Sequence, residues 1–121
     1  MAGGVMWVSW YATVFRQETF ALSVAEVAPI ALRYGATRYA VQRNLDDRYR
    51  ITQMTWCDDK ESWYRYWEGP EMIEFRARNA GRFQIPINYG WQEAVAFGEL
   101  GPEVPLVPEE PQPAPEPQAA V

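Results

Sequence analysis

Before Gly98, apolar and polar positions alternate between strand-like and helix-like patterns. Residues 6–15 are rich in Trp, Val, Tyr and Thr and carry no charge until Arg16, which predicts a first strand. Phe20, Val24, Val27 and Leu32 then recur at near-helical spacing, with Thr19 as the expected N-cap and Gly35 as the expected terminator. Pro29 falls inside that segment. Its ring removes a helix hydrogen bond, so the pattern predicts a kink there or two short helices. Residues 36–44 and 49–57 read as a strand pair joined by the polar turn Leu45-Asp46-Asp47-Arg48, hence an antiparallel hairpin. Asp58, with Glu61 three positions on, predicts a capped helix that runs through Trp63, Tyr64 and Trp67 to Gly69-Pro70. Pro70 suits the first position of a further helix over 71–80, closed by Gly81, and residues 86–97 read as the last strand.

The order is β-α-β-β-α-β. Right-handed crossovers fold it into a four-stranded antiparallel sheet with helices on one face, an α+β ferredoxin-like arrangement. The expected domain is 1–98. Beyond it the composition changes: residues 102–117 hold seven prolines and no aromatic residue. Such a stretch buries too little apolar surface to offset its ordering entropy, so 99–121 is expected to be a disordered or polyproline-like tail. It would serve as a spacer or as a docking peptide for a protein partner.

A sheet with one wet face should alternate cleanly between apolar and polar residues. Here Trp7, Ser9, Tyr11 and Thr13 fall on one side of the first strand, and Met6, Val8, Trp10 and Ala12 on the other. The last strand carries Ile87, Tyr89 and Trp91 on one side, with Asn88, Gly90 and Ala94 on the other. Both faces are too apolar for water. Helices cover one, and the simplest cover for the other is the same face of a second copy, giving a homodimer.

Composition narrows the chemistry. All six Trp, seven Tyr and five Phe precede Gly98, and the chain has no His, which removes the commonest acid–base residue and metal ligand. Eleven acidic and all eleven basic residues precede Gly98, so the body is formally neutral and the tail holds the net charge of −5. An acidic chain without a basic patch is not expected to bind nucleic acid or anionic lipid. The lone Cys57 excludes an internal disulfide, and neither a signal peptide nor a membrane span is read. The expected location is cytoplasmic.

The segments Met54-Thr55-Trp56 followed by Asp58-Asp59, Trp67-Glu68-Gly69-Pro70-Glu71, and Ile85-Pro86-Ile87-Asn88-Tyr89, with Arg43 ending the second strand, resemble the dimeric α/β-barrel superfamily. Within it, residues 5–98 look most like antibiotic-biosynthesis-monooxygenase-type domains. That resemblance implies a substrate held between helices and sheet. Many members carry a histidine just after the helix break, where this chain has Met72, which argues against haem ligation by histidine and excludes histidine-based catalysis. An oxygenase built this way would be cofactor-free, with the substrate itself supplying electrons to oxygen. Similarity of fold alone does not transfer function.

Trp63, Tyr64, Trp67 and Phe75 are candidates to line a pocket for a small aromatic or apolar ligand, with Asn88 to orient it. The same aromatic stripe also reads as core packing, and Asn88 and Gln53 as satisfied interior amides. Asp58-Asp59-Lys60-Glu61 lacks the spacing of a calcium loop and is read as helix capping. Arg43, Arg50, Arg76 and Arg78 are expected to pair on the surface with Glu71 or Glu74, or singly with a substrate carboxylate. Cys57 lacks a base to activate it. No catalytic residue, cofactor site or metal site is assigned. The alternative to a ligand-binding domain is a non-catalytic assembly protein that dimerises through the barrel and docks a partner with its tail.

Overall fold

The computed structural model describes residues 3–101. The tail expected over 99–121 therefore lies almost wholly outside the described residues. The elements are β1 (Gly4–Tyr11), α1 (Gln17–Val27), a 3-10 helix (Ala28–Tyr34), β2 (Ala36–Arg43), β3 (Arg50–Cys57), α2 (Lys60–Trp67), α3 (Pro70–Arg78) and β4 (Asn88–Gln92). The four strands form one antiparallel sheet in the order β2-β3-β1-β4, which is the ferredoxin-like topology.

The break at Pro29 is real. α1 stops at Val27, and the chain continues as a 3-10 helix with Pro29 in its first turn, where the missing N–H costs nothing. Gly35 closes it at φ 103°, and a Cβ there would stand 2.9 Å from Ser62 Oγ, so any other residue would be strained. The start of α1 differs from expectation. Arg16, not Thr19, is the N-cap, and it offers no side-chain cap. A turn in which Arg16 N–H donates to Thr13 O (3.0 Å) launches the helix earlier and carries Phe20 and Val24 into the core.

The cap of α2 also moves by one residue. Asp59, in extended conformation, accepts from Ser62 N–H at 2.7 Å, so Asp58 is not the cap. That bond holds the Asp59 carboxyl below its usual pKa. Asp59→Ala is expected to lower the melting temperature by about a few degrees, and Asp58→Ala to leave it unchanged, as thermal denaturation followed by circular dichroism will check.

β4 is shorter than the 86–97 expected, and β1 shorter than 6–15. β4 pairs only with Val5–Ser9 of β1, in the register Val5↔Gln92 to Ser9↔Asn88. Because β1 begins at Gly4, residues beyond Gln92 have almost no strand left to pair with. At its other end β1 gives way to a turn whose Phe15 lies at φ 64°.

β1 and β3 alternate in burial. Met6, Val8, Trp10 and Ala12 are each 1% exposed beneath the helices, whereas Trp7, on the opposite face, is 44% exposed. Cross-strand partners share a face, so Met54, Thr52 and Arg50 of β3 and Asn88 and Gly90 of β4 lie on the open side with Trp7, Ser9 and Tyr11. No helix among the described residues is long and apolar enough to cross a membrane.

Candidate functional site

The layer between helices and sheet is packed with rings. Trp10, at its centre, meets Phe20 (5.5 Å between centroids), Phe75 (5.6 Å), Phe83 (5.1 Å) and Trp67 (5.7 Å), mostly edge to face. A hydrogen-bond chain crosses the same layer. Trp10 Nε1–H donates to Gln53 Oε1 (3.0 Å), Gln53 Nε2–H to the Tyr66 hydroxyl (3.0 Å), and Tyr66 O–H to the carbonyl of Val27 (2.8 Å). Gln53 is thus the satisfied interior amide its sequence setting suggested. Burial pushes the Tyr66 hydroxyl far above the ordinary phenol range, so it stays protonated as a structural donor.

Trp63, Trp67 and Tyr89 form a second group at the β4 side. Trp63 stacks on Trp67 at 4.9 Å and 18°, and Tyr89 lies 5.6 Å from Trp63 and 5.8 Å from Trp67. The group runs from sealed to open. Trp63 is fully buried, Trp67 is half-buried, and Tyr89 is 51% exposed. Tyr64 stands beside Trp63 at 5.4 Å and is exposed. The Arg76 guanidinium sits 4.5 Å over the Trp67 ring, a cation–π contact. Its Nη1 and the Trp63 Nε1 are both buried without an acceptor. Burial lowers the Arg76 pKa, with Glu68 opposing the shift.

Of the five sequence-predicted pocket residues, Trp63 and Trp67 stack on each other, Phe75 joins the same layer through Trp10, Tyr64 is exposed beside Trp63, and Asn88 lies on the opposite face of the sheet. Asn88 instead lines a cleft of about 370 Å3 on the open face. Residues that the sequence reading did not single out as site residues include Trp10, Tyr66 and Tyr89. The period-two pattern of β1 already grouped Trp10 with Met6, Val8 and Ala12. Tyr66 carried no such signal, because its role depends on the depth at which α2 settles on the sheet.

The arginines divide. Arg78 pairs with Glu74 (3.6 Å), and Arg43 and Arg48 both pair with Glu18 (3.2 and 3.1 Å). Glu71 instead accepts from the Tyr34 hydroxyl. Cys57 is buried, and desolvation raises its pKa to about 11, so its thiol is a poor nucleophile at neutral pH. Met72, at the position where the resemblance expects histidine, is core. The buried polar residues are Gln53, Thr55, Ser62 and Asn79, so among the described residues no buried carboxylate stands ready as a base. No group of three or more acidic or cysteine side chains gathers there to hold a metal.

No family model matches the sequence, and no curated protein is significantly similar to it. Solved structures do match. A candidate antibiotic biosynthesis monooxygenase from Nitrosomonas europaea superposes with TM-score 0.67 at 17% identity, covering 83% of this chain and 92% of that one. One from Bordetella bronchiseptica gives 0.69 at 18%, covering 78% and 99%. One from Chloroflexus aurantiacus gives 0.63 at 16%, covering 83% and 98%. The chain therefore has the ferredoxin-like fold of antibiotic-biosynthesis-monooxygenase-type structures, the fold that the sequence resemblance implied.

Proposed function

We propose that the chain is a homodimeric, antibiotic-biosynthesis-monooxygenase-like domain that binds a small aromatic or apolar molecule at the Trp67–Tyr89 end of the helix–sheet layer. The graded stack of Trp63, Trp67 and Tyr89 carries this reading. Its inner ring is buried, and its outer rings offer apolar area to a flat ligand. Arg76 adds an unpaired donor at the same place. In an oxygenase reading, the ligand itself would reduce dioxygen, and the chain would position the ligand.

A flat polyphenol such as quercetin is expected to quench tryptophan fluorescence at one saturable site per subunit. Trp67→Ala should abolish that quenching while the far-ultraviolet dichroism and the oligomer survive. Unsaturable quenching, or quenching unchanged by Trp67→Ala, would refute ligand binding at this end.

A second reading is an assembly module with no ligand. The dense filling of the inner layer favours it, since Trp10, Trp63 and Phe75 are fully buried there and pack against neighbouring rings. It expects no saturable quenching, and loss of a protein partner when residues 99–121 are removed.

A further inference from the structure

We infer that the polar end of the open sheet face aligns the homodimer, with Arg50 of each subunit paired to the partner subunit's Asp47. This inference rests on the homodimer proposed above and names the contact that sets its register.

The open face has two halves. Val5, Trp7, Met54 and Trp56 lie toward the start of β1, and Ser9, Tyr11 and Arg50 toward its end. A second copy laid on this face gains most where apolar residues meet apolar residues. The polar halves then meet as well, and their charges leave water. Such burial is tolerated where opposite charges face each other and not where a charge is left alone.

Arg50 and Asp47 bring opposite charges to this half. Arg50 belongs to β3 and stands opposite Tyr11 of β1. Asp47 precedes β3 in the turn after β2, and its Oδ2 accepts from the Tyr11 hydroxyl at 2.8 Å. The four strands contain no acidic residue, so the carboxylate at this end comes from that turn.

Within the subunit the two charges do not pair. No ion pair joins them among the described residues, although Arg43, Arg48 and Arg78 each have one. Tyr11 holds them apart. The Arg50 guanidinium lies over its ring, 5.2 Å from the centre, while the carboxylate sits at its hydroxyl. Both groups keep unused capacity. One N–H of Arg50 donates to Ser9 Oγ at 3.0 Å, which leaves other donors on the fork. Asp47 Oδ1 accepts from Tyr49 N–H at 3.2 Å, and each carboxylate oxygen has a second lone pair.

A cation and an anion side by side on one face are self-complementary. In a two-fold pair, a contact from Arg50 to the partner's Asp47 occurs twice. The guanidinium fork suits a carboxylate, and a slipped arrangement leaves both charges of both subunits buried without partners. Apolar contact around Trp7 thus supplies affinity, and the ion pairs select one alignment.

The test is sedimentation velocity of the full-length protein at physiological salt, where attraction between the net charges of whole subunits is largely screened. Wild-type protein should be a dimer at micromolar concentration. Arg50→Glu and Asp47→Arg should each weaken dimerisation by about a hundredfold, because each sets like charges together twice. An equimolar mixture of the two variants should form a heterodimer close to wild-type affinity, since opposite charges again meet at both contacts. A pairing confined to one subunit cannot give that rescue. Asp47→Asn keeps an acceptor for Tyr11 and Tyr49, and loss of its charge should cost about tenfold. If thermal melts show Asp47→Arg to be unfolded, Asp47→Asn replaces it in the mixture and should bind Arg50→Glu more tightly than Arg50→Glu binds itself. A wild-type dimer unmoved by these substitutions, or a mixture no tighter than its parents, overturns the pairing and leaves the homodimer standing. A monomeric wild-type protein overturns both.

Discussion

Trp10→Ala is expected to lower the unfolding free energy by about 4 kcal/mol, the upper range for removing a buried aromatic residue. Three losses combine. The indole is 1% exposed and holds Phe20, Phe75, Phe83 and Trp67 around it, so its removal leaves a void that rings on a rigid sheet and helices fill poorly. The Gln53 carbonyl oxygen loses its donor, which frees the amide from the chain that ties β3 through Tyr66 to Val27. The helix layer then loses the largest side chain that β1 presents to it. Domains of this size hold about 5–15 kcal/mol in total, so the variant should be only marginally folded. Urea denaturation followed by near- and far-ultraviolet dichroism measures the effect. Trp10→Phe separates the terms: it keeps much of the volume and loses the N–H donor, so about 2 kcal/mol is expected. A loss under about 2 kcal/mol for Trp10→Ala would mean that the core repacks around the gap and that Trp10 is not its keystone.

The same physics explains what the sequence disclosed and what it withheld. Local signals survived folding where their cause was local. Pro29 broke the first helix because its ring lacks the N–H and crowds the preceding turn, Gly35 ended the segment at φ 103°, and Pro70 opened α3 at a position that needs no N–H. Signals that rest on a partner failed at their edges. Whether Asp58 or Asp59 caps α2 depends on which of them is extended when β3 ends, and both carry the right side chain. β4 stops at Gln92 because β1 begins at Gly4, a fact held by the other strand. Alternation correctly set Asn88 against Ile87, Tyr89 and Trp91, but period two does not say which set meets the helices. The register Val8↔Tyr89 and Ser9↔Asn88 decides it, placing Tyr89 with Trp63 and Trp67, and Asn88 on the open face. Composition announced the aromatic residues without saying that Trp10 and Trp63 would be the ones fully buried.

Trp7→Glu is expected to convert a dimer into a monomer while leaving the subunit folded. Wild-type protein should sediment as a dimer at micromolar concentration, because Trp7, Val5, Met54 and Trp56 share an uncovered face of the sheet. Arg38 lies 4.5 Å from the Trp56 ring and shields only that residue. In a two-fold pairing of this face each substitution acts twice, and each indole contributes about 1.5–3 kcal/mol when fully removed from water. The variant forfeits that contribution and brings a carboxylate into an apolar contact, so dimer affinity should fall by about a hundredfold or more. Subunit stability should change little, because Trp7 is already 44% exposed in the single chain. Sedimentation velocity of both proteins, with a thermal melt of each, reads the two effects apart. The rival cover for this face is the chain's own residues beyond Gly101. If they occupy it, wild-type protein sediments as a monomer, and deletion of residues 99–121 creates a dimer that Trp7→Glu abolishes. That pattern would overturn the homodimer and turn the apolar end of the sheet into a dock for the tail.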